Sequence, residues 1–282
     1  MNIEPVSPAL GARITGVDLS QEMDDATFEA VHQAWLEHHV LVFPDQDISE
    51  EDQVRFTERF GEPGTRIRKV GWSEKGRVSH PGTMLISNIR EDGKPIGSLP
   101  DGEMMYHSDG AFSERPYRYT LLYAIEVPSV GGNTLFANTA KAYDELPDAL
   151  KSKLANCHGE HLYYANNNQD VATRSLSGVR EHPIFVAHEE TGRPAIYASR
   201  LMTSRIVELP EEESDAVLQA LLDHLEKPEF VYEHVWTPGD FVVWDNRCLN
   251  HARSDFSAGE RRLLRRTTVW GVDPVAYTPD AA

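Results

Sequence analysis

Apolar residues in the first part of the chain alternate between two periods. In DDATFEAVHQAWLEHH, Phe28, Val31, Ala34 and Trp35 recur at helical spacing, with Asp24 or Asp25 available as a cap. VLVFPDQ follows as an unbroken apolar run stopped by Pro44, which predicts a short buried strand. SEEDQVRFTERFG predicts a second helix, because Ser49 and Asp52 form an [ST]-x-x-[DE] start and Gly61 offers a stop. From Met84 onward the pattern is strand-rich. Strands are predicted at MLISNI, YTLLYAIEV, NTLFAN, HLYYA, HPIFVAH, AIYA, FVYEHVW, DFVVWDN and LLRRTTVWG, and helices at ANTAKAYDEL, DALKSKLANC and EEESDAVLQALLDHLE. The result is an α+β, mainly β chain, a sheet sandwich or barrel braced by helices. No repeat or low-complexity linker divides residues 1–282, so one domain is the economical reading. Gly64 to Gly82 and Ala165 to His182 lack periodicity and are candidate lids, as long irregular loops in compact domains often are.

Composition narrows the partners. The formal net charge of −18 argues against a broad nucleic-acid surface, which needs clustered Lys and Arg. It leaves room for an anionic small molecule, since a pocket can be locally basic on an acidic protein. No apolar run approaches membrane-spanning length, and the N-terminus lacks the basic and apolar regions of a secretory signal. Two cysteines, Cys157 and Cys248, suggest no disulfide framework and point to a reducing cytoplasm.

The candidate chemistry begins in MMYHSDGAF. His107 and Asp109 are two apart at the end of an apparent strand, so an extended backbone turns both to one side. That is two-thirds of a facial triad for non-haem Fe(II), which needs a second histidine and leaves coordination positions open. His251, after the strand DFVVWDN and the turn RCL, is the best third ligand and is expected at a strand end. By itself the pair is more often an ordinary polar turn. The distal half, WDNRCLNHARSDFSAGERRLLRRT, adds weight. If Leu263 to Trp270 is a strand, Arg262, Leu264 and Arg266 share a face and two guanidiniums point at one cavity. Their fork geometry suits carboxylates. The alternative is a solvated basic edge, against which stand the central Leu263-Leu264 and the TTVWG that follows.

In order along the chain, GARITGVDLS, VLVFPDQ, FTERFGEP, HSD, GGNTLFAN, FVYEHVWTPGDFVVWDNRCLNH and RRLLRRT resemble the taurine and chlorophenoxyacetate dioxygenase family of Fe(II)/2-oxoglutarate enzymes. The resemblance covers almost the whole chain. It implies a distorted double-stranded β-helix (jelly roll) core braced by helices, with long active-site lid loops. It implies that His107, Asp109 and His251 hold Fe(II), that Thr134 and Arg262 bind the distal carboxylate of 2-oxoglutarate, and that Arg266 holds an anionic group of the substrate. With O₂ as the other co-substrate, the implied reaction oxidises a small, anionic organic molecule and releases succinate and CO₂. The presence of Asp109 favours hydroxylation over halogenation, while desaturation and ring closure remain open. A dimer or tetramer is also implied.

Several alternatives remain in the sequence. CHGEH groups His158, Glu160 and His161, but on a strand His161 faces away from the other two, so structural or solvated histidines are favoured over a ligand set. His161 alone remains a candidate for the substrate cavity. Cys248 reads as a packed thiol rather than a ligand. Tyr106 should face away from the metal side unless a bend brings it to the substrate. Glu103 stands where the taurine enzyme has an asparagine, which makes taurine a doubtful substrate and leaves Glu103 either pairing with a cationic group or exposed. Arg66, Arg68, Lys69 and His80 are the first lid's candidates. A second functional class, a non-catalytic jelly roll that binds a metal or small ligand, is disfavoured because Asp109, Thr134 and Arg262 are all retained.

Overall fold

The computed structural model describes residues 1–65, 77–98, 103–163 and 178–278. A seven-stranded sheet runs in the order Asn2–Pro5, Ala12–Thr15, Val40–Phe43, Phe241–Asp245, Tyr117–Glu126, Leu263–Trp270 and Met84–Ser87. A four-stranded sheet has the order Val231–His234, Thr134–Asn138, Leu249–Arg253 and Met104–His107. Strand parity decides what each face meets. Leu41, Phe43, Tyr119, Leu121, Phe241 and Val243 pack outward against the two N-terminal helices through Val31, Trp35, Phe56 and Phe60. Val40, Val42, Leu122, Ala124, Val242, Trp244 and Leu264 point inward, where Phe136 and Leu249 of the smaller sheet meet them. The inner layer therefore lies between two sheets, and the candidate residues sit at its edge.

Both early helices form for local reasons. Asp24 accepts from Thr27 N at 2.9 Å and caps the helix Asp25–His38. Ser49 and Asp52 complete a reciprocal capping box on Glu50–Glu58. That second helix ends before Gly61, whose φ of 138° belongs to the turn beyond it. Later helices, Thr139–Asp144, Asp148–Leu154 and Glu211–Leu225, brace a second core around Ile184, Phe185, Leu221 and Phe230.

Three expectations shift. The strand predicted at HLYYA occupies His158–Leu162, because Gly159 and His161 bury their side of the chain while His158 and Glu160 stay half-exposed. His251 is not at a strand end but central in Leu249–Arg253, a strand whose every residue is buried. The last four residues of the second aperiodic stretch, through His182, belong to the strand Val179–Pro183, which pairs with His158–Leu162. Residues 165–177 of that stretch, and Arg66, Arg68 and Lys69 of the first, lie outside the described residues. Among the described residues no helix is long and apolar enough to cross a membrane.

Candidate active site

Strand pairing brings the two histidines together. His107 and His251 are register partners on adjacent antiparallel strands, and their ring centroids are 4.1 Å apart. Asp109 follows in the turn after His107, with its Oδ1 3.9 Å from His107 Nε2 and its Oδ2 3.9 Å from His251 Nε2. One ligand atom from each of the three residues lies within 4.8 Å of the others. His107 Nδ1 is 3.0 Å from the Met105 carbonyl. A carbonyl can only accept, so Nδ1 carries the proton and Nε2 presents a lone pair toward Asp109. Trp244 packs on His251 at 4.8 Å between centroids.

The electrostatics suit a cation. Burial lowers the pKa of His107 despite the nearby Asp109 carboxylate. Burial and then His107 lower His251 to about 3, so both imidazoles are neutral donors at physiological pH. Burial would raise Asp109, but Arg266, His251, His107 and the Thr120 hydroxyl outweigh it and hold the group below the usual carboxylate range. Two neutral imidazoles and one anionic carboxylate, with no thiolate among them, are the donor set of a non-haem Fe(II) facial triad.

Asp109 is restrained on every side. Thr120 Oγ1 donates to Oδ2 at 2.7 Å, and Arg266 Nη1 lies 3.3 Å from Oδ1. The turn is pinned by Ser108 Oγ, which donates to the Asn246 carbonyl at 2.8 Å, and by Asp109 N, which donates to Asn246 Oδ1 at 3.4 Å. Trp244 Nε1 also donates to Asn246 Oδ1, and Asn246 Nδ2 donates to Thr120.

A second locus lies two residues along the strand from His251, where Thr134 faces Arg253. Arg262 is 2% exposed, and among the described residues no carboxylate pairs with it. Its Nε donates to the Gly132 carbonyl at 3.3 Å. Gly131 and Gly132 both adopt positive φ, and a Cβ on Gly131 would meet the Asp255 carbonyl at 2.3 Å, so this turn needs glycine. Thr134 leaves the turn buried, and its Oγ1 accepts from Trp236 Nε1 at 3.0 Å. Arg253, itself 6% exposed, is Thr134's register partner. Burial, and then Arg253, lowers Arg262 to about 9, which still leaves it charged at neutral pH. An isolated buried cation is costly, so the locus is chemically matched to an anionic ligand.

The alternation along Leu263–Trp270 separates the arginines as expected. Arg265 turns outward to Gln53 Oε1 and the carbonyls of Ile48 and Ser49, each at 2.8 Å. Arg262 and Arg266 turn inward, as does Leu264. Glu103 is exposed and Tyr106 half-buried, and neither side chain makes a hydrogen bond or ring contact with the three donors. His80 is tied to the second helix instead, its backbone N donating to Glu50 at 3.0 Å.

The rival clusters are paired with other side chains or packed in the core. His158 pairs with Glu208 at 2.6 Å, and Glu160 with Ser204 and Arg205. His161 is on the opposite, buried face, with rings of His182 and Tyr197 at 5.4 and 5.5 Å. Cys248 is near His188 and Asp245, a grouping with metal-ligand types. However, Asp245 accepts from His188 Nε2 at 2.8 Å and from Arg247 Nε and Nη2 at 2.9 and 3.0 Å. His188 Nδ1 accepts two backbone N–H groups, so its Nε2 carries the proton and offers no lone pair. Burial raises the Cys248 thiol well above its ordinary pKa, which keeps it protonated. This is a packing network.

Residues 2–268 match the family described as "Taurine catabolism dioxygenase TauD, TfdA family". The chain belongs to this family. It is 35% identical over 298 residues to the pentalenolactone F synthase of Streptomyces avermitilis, covering 97% of this chain and 96% of that one. It is 32% identical over 289 residues to the (S)-phenoxypropionate/alpha-ketoglutarate-dioxygenase of Sphingobium herbicidovorans, covering 98% and 97%. The crystal structure of AAD-2 in complex with Mn(II) and N-oxalylglycine superposes with a TM-score of 0.81 at 28% identity, covering 97% of this chain and 98% of that one. The chain is thus an oxidoreductase of the dioxygenase class. Within this family site, Thr120, Asn246, Trp236 and Arg253 were not singled out from sequence. Arg253 was accessible by parity, since it lies two positions from His251 on one strand. Thr120 is a polar residue inside the apolar run YTLLYA, a weaker signal.

Proposed function

We propose that this chain is an Fe(II)- and 2-oxoglutarate-dependent dioxygenase that hydroxylates a small organic acid. One relationship carries the reading: a thiolate-free centre of His107, Asp109 and His251 shares an inner layer with Arg262, a buried guanidinium that no described carboxylate neutralises. His107, Asp109 and His251 would hold the metal, and Arg262 with Thr134 would take the distal carboxylate of 2-oxoglutarate (α-ketoglutarate). Bound iron, with 2-oxoglutarate and O₂, supplies the oxidising power, and the co-substrate leaves as succinate and CO₂.

The chain's own groups prepare that chemistry. The Met105 carbonyl fixes the His107 tautomer, and burial keeps both histidines neutral. Arg262 offers charge and Thr134 a hydroxyl, both from buried side chains. Arg266, now on Asp109 Oδ1, is the proposed partner of the substrate's anionic group. Phe112, Leu201 and Met202, with Met104 and Met105 packed against them, form an apolar cluster along the His107 strand, which suits an acid with an apolar body better than one as polar as taurine.

The same reading makes residues 1–282 one domain with a jelly-roll core and lid loops. It describes a cytoplasmic dimer or tetramer without nucleic-acid or membrane partners. A panel of carboxylates, sulfonates, phosphonates and amino acid derivatives, scored by succinate release under O₂, tests the function. Stimulated release by an apolar-bodied carboxylate is expected. Binding of metal and 2-oxoglutarate with no succinate from any member would instead favour a non-catalytic binder.

A further inference from the structure

We infer that Thr120 is a positioning residue: its hydroxyl sets the orientation of the Asp109 carboxylate, at the end of a one-way hydrogen-bond relay that begins at Trp244. The inference rests on the reading of His107, Asp109 and His251 as metal ligands.

The direction of the relay follows from which groups can only donate. Trp244 Nε1–H and the Asp109 backbone N–H both approach Asn246 Oδ1, at 3.1 and 3.4 Å. Two obligate donors at that atom identify it as the amide oxygen. The Asn246 amide nitrogen therefore faces Thr120 Oγ1, at 2.9 Å. Thr120 must accept there, so its single hydroxyl proton is left for Asp109 Oδ2, at 2.7 Å. Each link has one sense, and an ionised carboxylate is the acceptor that ends it.

Burial isolates the relay from competing water. Trp244 and Asn246 are each 2% exposed, Thr120 is 0% and Asp109 7%. Thr120 and Trp244 are register partners on two central strands of the large sheet. Asp109 belongs to the turn that leaves the smaller sheet. The relay thus ties a turn to a rigid strand, which is how a ligand becomes preorganised.

Among the described residues Arg266 is the other side-chain hydrogen-bond donor on Asp109, at the longer distance of 3.3 Å. It is also the residue proposed to take the substrate's anionic group. When Arg266 turns to that group, Thr120 is the side-chain tether that stays on Asp109. The hydroxyl therefore has a task that simple satisfaction of a buried group would not explain.

Metal-free protein is titrated with Fe(II) under anaerobic conditions against a chelator, without 2-oxoglutarate. Wild type, Thr120→Val, Thr120→Ser and Asp109→Ala are compared, and thermal melting reports the fold. Outer hydrogen-bond partners of metal ligands typically contribute about 10- to 100-fold in affinity. A loss of that size is expected for Thr120→Val, with Thr120→Ser close to wild type. The energy of the visible charge-transfer band formed on adding 2-oxoglutarate should shift in Thr120→Val and not in Thr120→Ser. If Thr120→Val does not fold, Thr120→Ala replaces it with the same expectation. Wild-type affinity and an unmoved band in the folded hydroxyl-free variant overturn the inference, as does an equal loss in Thr120→Ser, which would mark a packing effect. A wild-type protein that binds no Fe(II) overturns the metal reading, and the inference with it.

Discussion

His251 stands across from His107 on the neighbouring antiparallel strand, with 4.1 Å between the ring centroids. The imidazole pair is therefore templated by backbone hydrogen bonding rather than by a loop, and only Asp109 depends on a turn. A site on paired strands keeps its geometry better than one on loops. His107→Ala and Asp109→Ala are accordingly expected to abolish succinate formation while circular dichroism and the cooperative melt persist. Full turnover in either variant would reject the assigned donors.

Arg262 makes a prediction with two signs. Removing a buried charge from its ligand costs about 2–5 kcal/mol, so Arg262→Met should raise the KM for 2-oxoglutarate by roughly 30- to 4,000-fold. The same change removes a buried cation that lacks a carboxylate, and replacing such charges with apolar groups is often neutral or stabilising. The unliganded variant should melt at or above the wild-type temperature. Wild type, but not the variant, should gain melting temperature when 2-oxoglutarate is added with metal.

The Asp245 network is expected to hold structure rather than metal. Asp245 is 0% exposed and accepts from both Arg247 and His188. Asp245→Ala leaves Arg247 without its central acceptor, and breaking such a pair costs about 3–5 kcal/mol. Urea unfolding should register the loss. Zinc should neither bind at this cluster in the wild type nor rescue the variant.

Acid stability carries the signature of His39. Burial lowers its pKa to about 4, against the opposing influence of Asp245. The folded protein thus refuses a proton that the unfolded chain accepts near pH 6.5. The unfolded state binds more protons in that window, so stability rises with pH and is lost as pH falls from about 6.5 toward 4. His39 caps the first helix at a φ of 63°, a conformation asparagine tolerates. His39→Asn should flatten the decline in unfolding free energy between pH 6.5 and 4.5, measured on metal-free protein. An unchanged slope would assign the decline to other buried histidines such as His161.

Much of this was legible in the sequence because the relevant signals are periodic. The alternation of Arg262, Leu264 and Arg266 follows from strand geometry and the structure keeps it, whereas Asp109 converges with His107 from the turn that follows the strand Met104–His107. The strand that centres His251 was less visible. Leu249–Arg253 contains Asn, His and Arg, and their burial depends on partners contributed by Met104–His107 and Thr134–Asn138. Thr120 and Asn246 were missed for a similar reason. Each looks like an ordinary polar residue until the two sheets bring Asp109 within 2.7 Å of the Thr120 hydroxyl.

The central claim is tested most directly by anaerobic titration of metal-free protein with Fe(II) and 2-oxoglutarate, followed in the visible. A weak charge-transfer band that saturates at one equivalent of each, absent in Asp109→Ala and requiring far more 2-oxoglutarate in Arg262→Met, is the predicted result. A wild-type protein that forms no band, or a band insensitive to both substitutions, would contradict the account.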